Sequence, residues 1–194
     1  MRKGGQKAKG NAHQRAVAAI FAGAYYPNGG GIFKSTPSKG GWESRAVPGD
    51  VIPFREIDPT GAAISGAAMT IDLRFPFSIE CKDWKDENVK HFVSGLYSAE
   101  CQFFDWMEQS QSDASCVGKM PIVIFKLYRT KNMAMLSSQD FREIANSFGN
   151  FVGKMYVLER IMPMNEAAAS QKLVFVLLSD FIEWIDWHIY KEEE

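Results

Sequence analysis

Phe77-Ser78-Ile79-Glu80-Cys81-Lys82 is the stretch on which the reading of the chain turns. It reads as a short buried strand, apolar up to Ile79, that then carries a carboxylate and an ammonium two residues apart. Strand side chains alternate between faces, so Glu80 and Lys82 project from the same side. Upstream, Pro48-Gly49-Asp50-Val51-Ile52-Pro53-Phe54 sets another carboxylate, Asp50, at the head of a second strand. Carboxylates on adjoining strands with a Lys beside them are a set that can hold a divalent cation and steady charge on a phosphate.

The same residues also fit plainer roles. Glu80 and Lys82 can be an ion pair at a strand end, although a carboxylate inside an apolar strand then carries a desolvation cost with no function attached. Asp50 can be a turn residue following Gly49. Asp72 is a reserve second carboxylate. His91 and His188 fall in helical patterns that suit surface or packed histidines. Cys81 has no neighbour that marks it as a nucleophile.

Around this stretch, 194 residues allow one domain, and a composition that is 46% apolar and 13% aromatic supplies its core. No apolar run approaches the length of a membrane span. The basic N-terminus lacks the apolar segment of a secretory signal. Cys81, Cys101 and Cys116 are an odd, widely spaced set, which suits a reduced, cytoplasmic protein without structural zinc. Charge is uneven along the chain. Residues 1–45 hold eight Lys and Arg against Glu43 alone, whereas residues 151–194 hold four basic against eight acidic residues. A basic arm suits a polyanionic partner, because phosphate contacts release counterions; a solvated tail is the plain alternative for residues 1–8.

Working along the chain, residues 1–8 have the composition of a disordered tail, and a single domain is expected over 9–190, with a core over 9–136 and an elaboration over 137–190. Asn11 is a candidate cap for a helix ending between Gly23 and Pro27. Ile32 to Lys34 can begin a strand, and residues 35–49 are a Gly- and Ser-rich loop. Asp50 to Phe54 is a strand. Pro76 argues against one unbroken strand over 69–81. Val89, Phe92, Val93, Leu96, Phe103, Trp106 and Met107 predict an amphipathic helix from Val89 through Glu108, with Gln109 to Lys119 a loop or frayed end. Met120 to Tyr128 is the clearest strand, and Met133 to Leu136 its hairpin partner. Ser138 is expected to cap a helix over 139–147 that Gly149 ends. Strands follow over 151–160 and 173–178, then a helix capped by Ser179. The order predicts an α/β domain, a mixed sheet flanked by helices.

Read in order, these pieces resemble the PD-(D/E)XK nuclease superfamily, and within it the archaeal and phage-type Holliday-junction resolvases. Lys9-Gly10 with Arg15 resembles the opening of their first helix. The loop with Ser35, Thr36, Ser38 and Gly40-Gly41 resembles their flexible loop. Gly49-Asp50-Val51 sits at the PD position, Ile79-Glu80-Cys81-Lys82 is the (D/E)XK element, and Gly118 to Lys126 resembles the next core strand. The likeness covers residues 9–136 and implies a restriction-endonuclease-like fold and a homodimeric, Mg²⁺- or Mn²⁺-dependent endonuclease on branched DNA. It implies Asp50, Glu80 and Lys82 as the catalytic set, with Asp50, Glu80 and the Cys81 carbonyl as metal ligands. It implies DNA contacts from Lys9, Arg15, Ser35, Thr36 and Lys39. There are two departures: the PD proline is displaced, as Pro48-Gly49-Asp50, at a position that varies in the superfamily, and the first helix differs. The resolvases carry a metal-binding Glu on the first helix, and here Gln14 or His13 stands there. That departure keeps open a DNA-binding or assembly protein without catalysis; a restriction- or repair-type endonuclease is a further alternative.

Overall fold

Phe77 to Ile79 and Ile122 to Phe125 are buried without interruption because they lie side by side in the middle of a sheet covered on both faces. The computed structural model describes residues 4–35, 49–57, 68–83, 101–127, 130–160 and 170–190. Along the chain they form α1 (Gly4–Tyr25), β1 (Gly31–Ser35), β2 (Val51–Ile57), β3 (Ala68–Ile71), β4 (Phe77–Asp83) and α2 (Gln102–Ser115). There follow β5 (Met120–Lys126), β6 (Asn132–Ser137), α3 (Ser138–Phe148), β7 (Met155–Arg160), β8 (Gln171–Leu177) and α4 (Leu178–Trp184). Seven strands run in the order β1-β2-β4-β5-β6-β8-β7, and β3 joins them by pairing with β2. β4 and β5 are parallel, which requires a crossover, and α2 lies in it. The remaining pairs are antiparallel, so the sheet is mixed, as the order of elements predicts.

Alternation along β5 divides the interior. Ile122 and Ile124 join Val17 and Phe21 of α1, Phe141 and Ile144 of α3, and Phe181 of α4. Val123 and Phe125 point the other way, toward Phe103, Phe104, Trp106 and Met107 of α2. Glu80 and Lys82 are on the opposite face of β4 from Phe77 and Ile79, and therefore on the α2 side. Phe75 sits in the segment between β3 and β4. Its ring meets those of Phe21, Tyr25, Phe33, Phe77 and Trp187, which ties α1, β1, β4 and the C-terminus together.

Several boundaries differ from the sequence expectation. α1 begins at Gly4, so residues 4–8 are helical rather than disordered, and Asn11 is inside the helix rather than its cap. Gln6, Lys7, Ala8 and Lys9 are good helix formers, and lengthening an existing helix needs no new nucleus. Cys101 is extended (φ −69°, ψ 112°), and α2 runs to Ser115 instead of ending at Glu108. Its second half is hard to see in the sequence because only two small residues there, Ser110 and Ala114, are buried. The expected helical residues 89–100 lie outside the described residues. The cap of α3 is Ser137, whose hydroxyl accepts the Asp140 N–H, not Ser138. α4 starts from Leu177 without a side-chain cap, so Ser179 does not serve there. The last helix is short: α4 ends at Trp184, and Phe181, Ile185 and Trp187 are buried in the chain's own core.

Candidate active site

Gly49 has φ 127°, and a Cβ there would meet the Ile79 carbonyl oxygen at 3.1 Å and Ser78 Oγ at 3.3 Å. Only glycine lets the chain enter β2 this close to β4. Asp50 follows. Its N–H donates to the Ile79 carbonyl at 2.7 Å, and its Oδ2 accepts the Cys81 N–H at 2.8 Å. A side-chain carboxylate thus takes the place of the next ladder acceptor. Val51 opposite Ile79 is the one residue pair in the β2–β4 register, so the strands part where Asp50 sits.

Glu80 is beside that fork, 9% exposed, and Lys82 Nζ donates to its Oε1 at 2.7 Å. The expected grouping of Asp50, Glu80 and Lys82 is therefore present: the Lys82 charge acts on both carboxyls, and the Asp50 charge acts on Glu80. Burial pushes the Asp50 carboxyl above its ordinary range, outweighing the Cys81 N–H, a hydrogen bond from Gln14, and the charges of Lys82 and His13. Burial likewise raises Glu80. The Asp50 charge adds to the rise, Lys82 opposes it, and Asp113 adds a further push. Burial lifts the Cys81 thiol well above its usual value, so this sulfur is inert.

Two helices close over the fork. From α1, the Gln14 amide donates to Asp50, while its Oε1 is buried without a partner. His13, 8% exposed, bonds the Ile124 carbonyl through a ring N–H, and its Nε2 has no partner. Burial holds its pKa below the usual value. From α2, Gln109 Oε1 accepts a second hydrogen from Lys82 Nζ at 3.0 Å. Gln109 and Asp113 are one turn apart and were not marked by any sequence signal, since 109–119 reads as a loop or a frayed helix end.

Other candidate residues are placed as follows. Asp72 is not at the fork. It is fully buried, and although burial alone would raise its pKa, hydrogen bonds from Arg74 and Tyr26 hold it below the ordinary value. This is a structural ion pair. Arg15 and Ser35 line one open groove between α1 and β1, together with Lys34, which the sequence reading did not single out. Lys9 is on α1. Thr36 and Lys39 lie outside the described residues, as does His91. His188 is exposed. Among the described residues no three His, Cys, Asp or Glu side chains gather as a metal cluster, so any cation here would rely on two carboxylates and neutral oxygens.

A family model described as "Phage putative PDDEXK endonuclease" matches residues 5–186. Searches of curated proteins and of solved structures gave no significant match. The mixed, helix-flanked sheet is the restriction-endonuclease-like fold that this match calls for.

Proposed function

The chain belongs to this family of phage PD-(D/E)XK endonucleases, and from that premise we propose that it is a metal-dependent DNA endonuclease in which Asp50, Glu80 and Lys82 carry the reaction. The observation that supports this most is the Asp50 carboxylate inserted at the β2–β4 fork beside Glu80. Two buried carboxylates that repel one another are costly unless a cation joins them. The donor set fits Mg²⁺ or Mn²⁺, since it is all oxygen: Asp50, Glu80, the Cys81 carbonyl, and the partnerless Gln14 Oε1 close by. When bound, the ion would polarise a water and offset charge building on the phosphate. Asp50 is oriented by the Cys81 N–H and the Gln14 amide. Lys82 brings a positive charge to the same face as Glu80, where it can stabilise the crowded phosphate. Arg15, Lys34 and Ser35 would track the DNA backbone, with Lys9, Thr36 and Lys39 as further contacts.

The substrate we propose is a four-way junction or other branched DNA, cut by a homodimer acting inside a bacterial host. Incubation with four-way-junction, flap and linear duplex DNA, with and without Mg²⁺, tests this. Symmetric junction cuts that need Mg²⁺ are expected, and Glu80→Ala or Lys82→Ala abolishes them while leaving binding largely intact. Preferential cutting of linear duplex would make it a restriction- or repair-type enzyme. Gln14, neutral where the resolvases carry Glu, favours one second reading: a DNA-binding protein with weak or no catalysis. Junction binding without cleavage, unaffected by Glu80→Ala, would establish that instead.

A further inference from the structure

The Lys82 ammonium has two acceptors of different character, Glu80 Oε1 at 2.7 Å and Gln109 Oε1 at 3.0 Å. The first is charged and belongs to β4. The second is neutral and comes from α2, 27 residues along the chain. A lysine stem has four rotatable carbons, so its amine does not stay in one place without partners. Any cation drawn to Glu80 competes with Lys82 for the same carboxylate. Gln109 does not enter that competition, because its amide oxygen carries no net charge. It is also solvent-facing on a helix anchored by Trp106, Met107 and Ser110, so its backbone position is fixed while its side chain is exposed.

We infer that Gln109 is a positioning residue that keeps the Lys82 amine at the site when Glu80 is engaged elsewhere. Gln109 touches no reacting atom in this account and acts through Lys82. The inference rests on the proposed nuclease reading, in which Lys82 is needed for cleavage. It also gives α2 a part in the site. The helix that crosses from β4 to β5 covers the apolar face through Phe103, Phe104 and Met107, and steers the lysine through Gln109.

The test compares Gln109→Met, which keeps length but has no oxygen acceptor, with Gln109→Glu, which keeps an acceptor, and with Lys82→Met. In Ca²⁺, where the cation engages Glu80 without cleavage, labelling of the Lys82 amine by an activated ester, read by peptide mass spectrometry, is expected to rise in Gln109→Met and not in Gln109→Glu. In Mg²⁺, single-turnover cleavage of a four-way junction is expected to slow about tenfold in Gln109→Met, the scale of one hydrogen bond to a charged group, and to recover in Gln109→Glu. Junction binding measured in Ca²⁺ is expected to match wild type in each variant. Because Gln109 is exposed, thermal melts are expected to be unchanged, which separates a lost contact from a lost fold. Unchanged labelling, or wild-type cleavage by Gln109→Met while Lys82→Met is inactive, overturns the inference and leaves the nuclease reading standing. Wild-type cleavage by Lys82→Met overturns both.

Discussion

Asp50 and Glu80 are held at the fork at a cost to the fold. Both carboxyl groups have pKa values raised in the folded chain above 3.8 and 4.5, the values expected when unfolded. Between the unfolded and folded values the native state binds more protons than the unfolded one, so this pair's contribution to stability falls as pH rises through that window. Above that window the chain carries the full penalty of two ionised, repelling acids. Glu80→Gln removes one of them. Its melting temperature in metal-free buffer is expected to exceed wild type by on the order of 2 °C at neutral pH, with the gap closing as pH falls toward 4.5. Adding Mg²⁺ should close the gap from the other side by stabilising wild type alone. A variant less stable than wild type at neutral pH would refute this account of the pair. Gly49 makes the complementary case. A Cβ there is opposed both by φ 127° and by the Ile79 carbonyl at 3.1 Å. Gly49→Ala is expected to cost about 1–3 kcal/mol in urea unfolding, and to move Asp50 enough to lower cleavage as well.

At the level of elements, strands were legible and helix ends were not, for a physical reason. Strands β4, β5 and β6 are marked by residues that must be buried, Ile79, Ile122 to Phe125 and Ala134 to Leu136, and burial selects side chains that are recognisable in sequence. A helix end is decided by one hydrogen bond among several neighbouring polar residues. Ser137 and Ser138 are equally good caps on paper. The structure assigns the role to Ser137, whose Oγ accepts the Asp140 N–H at 3.0 Å. Ser137→Ala is therefore expected to cost about 1 kcal/mol in chemical denaturation. Ser138→Ala should be close to neutral, since Arg142 bonds its backbone carbonyl rather than its hydroxyl. Equal effects from the two would remove the basis for choosing between them. α2 is the larger example. Its N-terminal half is written in Phe103, Trp106 and Met107, while its C-terminal half, polar on its exposed face, carries Gln109 and Asp113 to the fork unannounced.

For the whole molecule, the sheet divides labour between its faces and its edges. Asp50, Glu80 and Lys82 could be read from sequence because they are tied to strand order and alternation, two features that survive without knowing helix positions. The Gln14 contact with Asp50, the Gln109 contact with Lys82 and the burial of His13 depend on how α1 and α2 are docked, and no local pattern encodes that. The charge distribution follows the same division. The net charge of −1 conceals a basic N-terminal stretch. The described part of that stretch puts Arg15 and Lys34 along one groove between α1 and the edge strand β1, with Arg15 next in sequence to Gln14. A duplex phosphate track in that groove would lead toward the fork. Each phosphate neutralised adds about 0.9 to the slope of log affinity against log salt. The pair Arg15→Ala and Lys34→Ala is expected to flatten the slope for duplex DNA, measured in Ca²⁺ to prevent cutting, by roughly 1.8. The loss of affinity should be similar for junction and linear DNA, because backbone contacts position the nucleic acid without reading its sequence. An unchanged slope would mean that the groove is not on the DNA path, and would turn the search toward the other end of the strand fork.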